Sequence, residues 1–149
     1  MKSIEIINRK ATHEYHFIQL FEAGIQLIGT EVKAIREGKA NLSDAWCGFE
    51  RNELWIKNLH ISEYERGSNQ NHEPKRTRKL LLNRLELRKL ERKMTEKGMS
   101  IIPYRIYFSD RGMIKVEIAL ASGKKSYDKR ESIKDKDQKR DMDRNLKFN

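Results

Sequence analysis

Apolar and polar side chains alternate through Ile114, Lys115, Val116, Glu117, Ile118, Ala119 and Leu120. That period of two predicts a half-buried strand over Met113–Ala121. Its partner, Ser100–Phe108, lies across the turn Ser109-Asp110-Arg111-Gly112, and Pro103 marks an edge or a bulge. Nearer the start, Glu14–Phe21 (EYHFIQLF) is aromatic and β-branched and reads as a strand. Glu22-Ala23-Gly24 reads as a turn leading to a short second strand at Ile25–Ile28. Ala45–Arg51 and Glu53–Leu59 form another strand pair joined near Asn52, and His60–Tyr64 continues the sheet. Arg66–Pro74 has loop composition.

Two stretches carry helical spacing. Thr30–Gly38 predicts a short helix with Thr30 as its cap, Glu31 at the positive end of the dipole and Gly38 at the left-handed exit. Val32, Ile35 and the stem of Arg36 would face inward. Asn83-Arg84-Leu85-Glu86 fits a capping pattern, with Leu82 and Leu87 as a hydrophobic staple. Leu87, Leu90 and Met94 then recur at helical spacing up to Gly98. Short antiparallel strands with inserted helices predict a mainly β protein. The economical solution is an OB-like antiparallel barrel with flanking helices.

Composition adds a tail and a partner class. Residues 123–149 hold few large apolar side chains and many lysines and arginines, so they read as a basic C-terminal tail, flexible when alone, after a domain at 1–122. A net charge of +10 points to a polyanion, nucleic acid before a membrane surface. No apolar run approaches the ~20 residues of a spanning helix, and Met1–Arg9 lacks a secretory apolar region, so a cytoplasmic protein is expected. Cys47, the single cysteine, excludes an intrachain disulfide. His13 and His16 fall on opposite faces of the expected strand, and no metal or cofactor motif appears. Asp44, Glu50 and Glu53 make no catalytic set with the histidines, so the chain reads as no enzyme. Turnover of RNA with added metal would revive a nuclease reading.

Basic charge also concentrates over Lys75–Lys97, where ten cations face three acids, a net +7. A cluster of that kind suits phosphate contacts, and an ordinary solvated helix face is the plain alternative. Beyond Lys129, helical phase would bring Lys129, Lys136, Arg140, Arg144 and Lys147 onto one stripe, with Arg130 and Lys134 off it. Periodicity alone weighs a functional stripe and an accidental phase equally.

Four stretches in order resemble one family: EAG at 22–24, GTEVKAIREGKANLSDAW at 29–46, RTRKLLLN at 76–83 and GKKSYDKR at 123–130. They resemble the SsrA-binding protein (SmpB) family of bacterial trans-translation. The resemblance implies an RNA-binding adaptor that carries transfer-messenger RNA, through its tRNA-like domain, to stalled 70S ribosomes for rescue and nascent-peptide tagging. Elongation factor Tu and alanyl-tRNA synthetase would act through the RNA, with no DNA and no membrane involved. A generic OB-fold RNA-binding or ribosomal protein is the alternative.

The resemblance also implies site residues. Glu22, Leu81 and Asn83 match the family's RNA-binding positions, with Arg76, Arg78 and Lys79 supplying charge and Lys33, Arg36 and Lys39 as further candidates. Each of the first three has a plain reading too: a turn residue, a core residue and a helix cap. In the tail, Lys124, Lys125, Asp128, Lys129 and Arg130 match the motif that enters the decoding centre and the empty message channel, where the tail becomes helical. Lys134, Lys136, Arg140 and Arg144 would follow them along the channel. Tyr127 stands where the family usually has His, keeping an aromatic face for stacking on a base. Asn145-Leu146-Lys147 replaces a usually more apolar pair before a lysine.

Overall fold

The computed structural model describes residues 4–66 and 71–124. The elements run β1 (Glu5–Ile7), α1 (Arg9–Glu14), β2 (Tyr15–Ile25), α2 (Gly29–Arg36), β3 (Ala40–Asn41), β4 (Trp46–Glu50), β5 (Glu53–Lys57), β6 (His60–Ile61), β7 (Arg78–Leu81), α3 (Arg84–Lys93), β8 (Met99–Phe108) and β9 (Ile114–Gly123). One antiparallel sheet has the order β1-β8-β4-β5-β7-β2-β9, and β8 also pairs with β9. That last pairing closes six strands, β8-β4-β5-β7-β2-β9, into a ring with β1 laid on the outside edge of β8. The ring is OB-like in being small, antiparallel and Greek-key wound, with one strand more than the five-stranded form.

The inner face follows the alternation in the sequence. Phe21 and Ala23 of β2, Leu54 and Ile56 of β5, Ile101 and Ile106 of β8, and Val116, Ile118 and Leu120 of β9 share one core. Helix α2 adds Ala34 and Ile35 to it, and α3 adds Leu90. Burying each of the Val, Leu, Ile and Phe side chains among them contributes about 1.5–3 kcal/mol. Register shifts interrupt β2 between Phe17 and Gln19 and β8 between Pro103 and Arg105. The second confirms Pro103 as a bulge marker: a residue without an N–H sits where the ladder breaks. The β4–β5 connection places both Arg51 (φ 55°) and Asn52 (φ 64°) in the left-handed region, as a tight two-residue hairpin demands.

Several expectations are corrected. Glu22-Ala23-Gly24 is no turn. The chain runs straight through it as β2, because Gly24 pairs with Leu81 of β7 and Lys115 of β9. His60–Tyr64 does not extend the main sheet; only His60 and Ile61 are strand, paired with Asn41 and Ala40. Residues 9–14 form α1, ahead of the strand expected from Glu14. Asn8 explains it: its Oδ1 accepts from the Ala11 N–H (3.1 Å), while its Nδ2 donates to the carbonyls of Pro103 (2.9 Å) and Leu42 (3.2 Å). Ile28, not Thr30, occupies the cap of α2, and the Thr30 hydroxyl instead bonds His72 Nδ1 (2.9 Å).

The candidate nucleic-acid interface

Residues of even number from Leu20 to Gly24 point outward on β2, since Phe21 and Ala23 are in the core. Leu81 lies directly across from Gly24 on β7 and is 45% exposed, so it is not a core residue. A Cβ at Gly24 would meet Leu81 Cβ at 3.4 Å, an ordinary van der Waals contact, so the two positions are immediate neighbours on this face. Two residues along β7 and into the next turn, Asn83 caps α3, its Oδ1 accepting from the Glu86 N–H at 2.9 Å. The cap uses only the oxygen. The Asn83 Nδ2 remains available, so cap and ligand contact are compatible. The structure thus brings Glu22, Gly24, Leu81 and Asn83 onto one exposed strip.

Glu22 is not isolated on that strip. The Tyr107 hydroxyl donates to its Oε2, reaching across β9 from β8. Arg105 lies over the Tyr107 ring, 4.1 Å from its centroid, and donates to Glu117 Oε1 at 2.6 Å. Glu117 is the residue directly opposite Glu22 in the β2–β9 ladder, so Arg105 neutralises the like charge nearest to it. A second carboxylate, Glu5, also pairs with Arg105. Burial, with the hydrogen bond to Glu22 next, pushes the Tyr107 phenol up to about 12, which keeps it a donor throughout the physiological range. Sequence reasoning missed Arg105 and Tyr107; their alternation with Ile106 on β8 was the available signal.

The basic candidates separate into different roles. Arg78 is corrected: it is fully buried and offers nothing to a phosphate. Its Nε donates to Glu31 Oε2 (2.5 Å), one terminal nitrogen to the Leu59 carbonyl (2.7 Å) and the other to the Pro74 carbonyl (3.1 Å). Burial lowers its pKa, and Glu31 works against that. Glu31 is buried too, with Arg76 donating to both of its oxygens (3.2 and 2.8 Å) and the Ile28 N–H donating at 2.7 Å. Burial alone would raise the Glu31 carboxyl; the bonds from Arg76, Ile28 and Arg78 outweigh it and hold the group below the usual carboxylate range. Arg76 is the half-exposed member of this group, and Lys79 faces Glu53 at 3.6 Å.

Lys33 and Lys39 belong to another neighbourhood. Lys33 Nζ lies 5.5 Å from the Tyr64 ring centre, and Lys39 donates to Glu65 at 3.2 Å. Arg36 is exposed. Lys124 Nζ donates to the Thr12 carbonyl at 3.0 Å, fixing the chain's exit beside α1. Lys125, Tyr127, Asp128, Lys129, Arg130, Lys134, Lys136, Arg140 and Arg144 lie outside the described residues. Among the described residues no helix is long and apolar enough to cross a membrane, and no cluster of three potential metal ligands occurs.

A small basic antiparallel barrel with such a strip defines a class: β-barrel proteins of the nucleic-acid-binding kind. The family profile described as "SmpB protein" matches residues 5–148. The chain is 56% identical over 140 residues to the SsrA-binding protein of Desulforamulus reducens, covering 94% of this chain and 87% of that one. It is 55% identical over 144 residues to the SsrA-binding protein of Cytophaga hutchinsonii, covering 97% and 94%. Among solved structures, a chain from "tmRNA-SmpB: a journey to the center of the bacterial ribosome" superposes with a TM-score of 0.68 at 46% identity, covering 83% of this chain and 85% of that one. The chain belongs to the SmpB, or SsrA-binding protein, family.

Proposed function

We infer that this protein is the RNA-binding adaptor of trans-translation: it binds transfer-messenger RNA and acts with it on the 70S ribosome. The observation that carries this is the family match over residues 5–148, which takes in both the barrel and the basic tail. The barrel holds the RNA through Glu22, Leu81 and Asn83, with Arg76 and Lys79 supplying nearby positive charge and Lys33, Arg36 and Lys39 a second basic neighbourhood. Arg78 has no part in contact; it builds the loop that presents Arg76. The tail from Lys124 onward serves the decoding centre and message channel. The protein performs no catalysis itself and works in the bacterial cytoplasm.

Geometry supports this division of labour. Tyr15 pairs with Gly123 at one end of the β2–β9 ladder, and Gly24 pairs with Lys115 at the other. Tyr15 and Glu22 are seven residue steps apart along β2, roughly 23 Å at the rise of an extended chain. A barrel with its RNA strip at one end and its tail root at the other can bridge two partners at once. The deciding experiment is a competition assay at moderate salt. Transfer-messenger RNA should displace bulk tRNA from the protein. Equal competition by bulk tRNA would reject the assignment. A chain truncated after Lys124 should keep the RNA affinity and lose peptide tagging.

A further inference from the structure

In a protein of net charge +10 an exposed carboxylate on the RNA-facing strip repels every phosphate that approaches. Glu22 therefore lowers non-specific affinity and gains only where the ligand offers hydrogen-bond donors. Unpaired nucleotides offer them on the Watson–Crick N–H groups of their exposed base edges. A plain duplex keeps those groups engaged in pairing. Such an acceptor is useful only when its direction is fixed, because a freely rotating glutamate loses side-chain entropy on binding.

The structure contains the means to fix it. Tyr107 donates its hydroxyl to Glu22 Oε2 and leaves Oε1 unbonded among the described residues. The phenol is itself held, with Arg105 across its ring at 4.1 Å. Arg105 is anchored by Glu117 on one side and Glu5 on the other. The chain of contacts runs over three strands of the closed ring and through the edge strand β1, so it is rigid backbone to rigid backbone.

Resting on the reading that Glu22 contacts the RNA, we propose that Tyr107 is a positioning and specificity-determining residue: it orients the Glu22 carboxylate to accept from base N–H donors of unpaired nucleotides in a tRNA-like fold. Tyr107 touches no RNA in this scheme. Its hydroxyl sets which carboxylate oxygen is free, and Arg105 sets the hydroxyl.

The test uses the full chain with transfer-messenger RNA and, as a control, a plain RNA duplex. Tyr107→Phe removes only the hydroxyl. Affinity for the tRNA-like RNA should fall roughly tenfold, the effect of losing a hydrogen bond to a charged group, while duplex affinity and the salt slope stay unchanged. Tyr107→Phe combined with Glu22→Gln should bind no worse than Glu22→Gln alone, as coupled residues do. The ¹³C carboxyl resonance of Glu22 should shift in Tyr107→Phe, while the other carboxyl resonances hold still. Glu22→Asp, which withdraws the carboxylate from the phenol, should show the same loss with Tyr107 intact, and it keeps the proposal testable if Tyr107→Phe misfolds. Multiplicative losses in the double variant, or parallel losses on duplex RNA, would overturn the positioning role alone. Wild-type affinity in Glu22→Gln would overturn the reading of the strip and this proposal together.

Discussion

Glu22 and Glu31 are both glutamates with basic or phenolic donors around them, and they do opposite work. Glu31 is sealed inside the fold, with Arg76, Arg78 and a backbone N–H on its two oxygens. Glu22 stands in solvent, held by one hydroxyl. Every lone pair of Glu31 that matters is taken by the protein, so it can serve only the fold: it ties α2 to β7 and to the segment before it. Glu22 keeps an oxygen in reserve, so it can serve a ligand. Acceptor capacity left over after folding, more than charge, separates a binding carboxylate from a structural one.

The sharpest way to break this comparison is to remove the buried cation. Arg78→Met leaves Glu31 with Arg76 and the Ile28 N–H and strands the carbonyls of Leu59 and Pro74. Breaking a buried pair from one side costs about 3–5 kcal/mol, so urea unfolding should show most of the domain's stability lost. RNA affinity of the protein that remains folded should be unchanged. A loss of RNA affinity without a loss of stability would return Arg78 to the interface.

Glu31→Gln attacks the same cluster from the acid side and should cost roughly 3 kcal/mol at neutral pH. It also carries a pH signature. The folded-state pKa of Glu31 lies below its unfolded value, so its stabilisation is complete above the ordinary carboxylate range of about 4.3. It drains away as pH falls through the lower folded value. The wild-type protein should therefore lose stability on acidification below about pH 4 in a limb that Glu31→Gln lacks. Identical acid limbs in the two proteins would show that Glu31 is not the group responsible.

These contrasts also mark what the sequence makes legible. The alternation through Ile114–Leu120, the cap at Asn83 and the hairpin at Asn52 are local patterns with local causes, and the structure bears them out. The character of Glu31 is not local: at a helix start a glutamate reads as a dipole partner, and only the arrival of Arg76 and Arg78 from β7 and its approach buries it. Arg78 looks like one more cation in a basic run for the same reason. Glu22-Ala23-Gly24 reads as a turn because glycine usually marks one, whereas here Gly24 is held in a strand by partners from distant parts of the chain, Leu81 and Lys115. Tyr107 is invisible as a partner of Glu22 because the two meet only when β9 is inserted between their strands.

On the exposed side of the comparison, Glu22→Gln should change stability by no more than about 0.5 kcal/mol, as surface substitutions do, yet weaken binding of the tRNA-like RNA. Parallel thermal unfolding and RNA titration would separate the two effects. A stability loss near that of Glu31→Gln would erase the distinction between the two glutamates.

Asn83 supplies the smallest and finest test, because on the proposed reading it combines the two kinds of work in one side chain. Its oxygen serves the fold, accepting from Glu86 N–H at 2.9 Å, and its amide nitrogen is left over. Asn83→Ala removes both and should cost about 1 kcal/mol of stability. Asn83→Asp keeps an acceptor of equal or better capping quality beside the helix's positive end and deletes only the donor. Its thermal midpoint should match or slightly exceed that of the wild type, while its RNA affinity falls as far as that of Asn83→Ala. If Asn83→Asp instead binds RNA like the wild type, the leftover nitrogen has no ligand and Asn83 is a cap alone. The interface would then contract to Glu22 and Leu81 on the strip across β2 and β7.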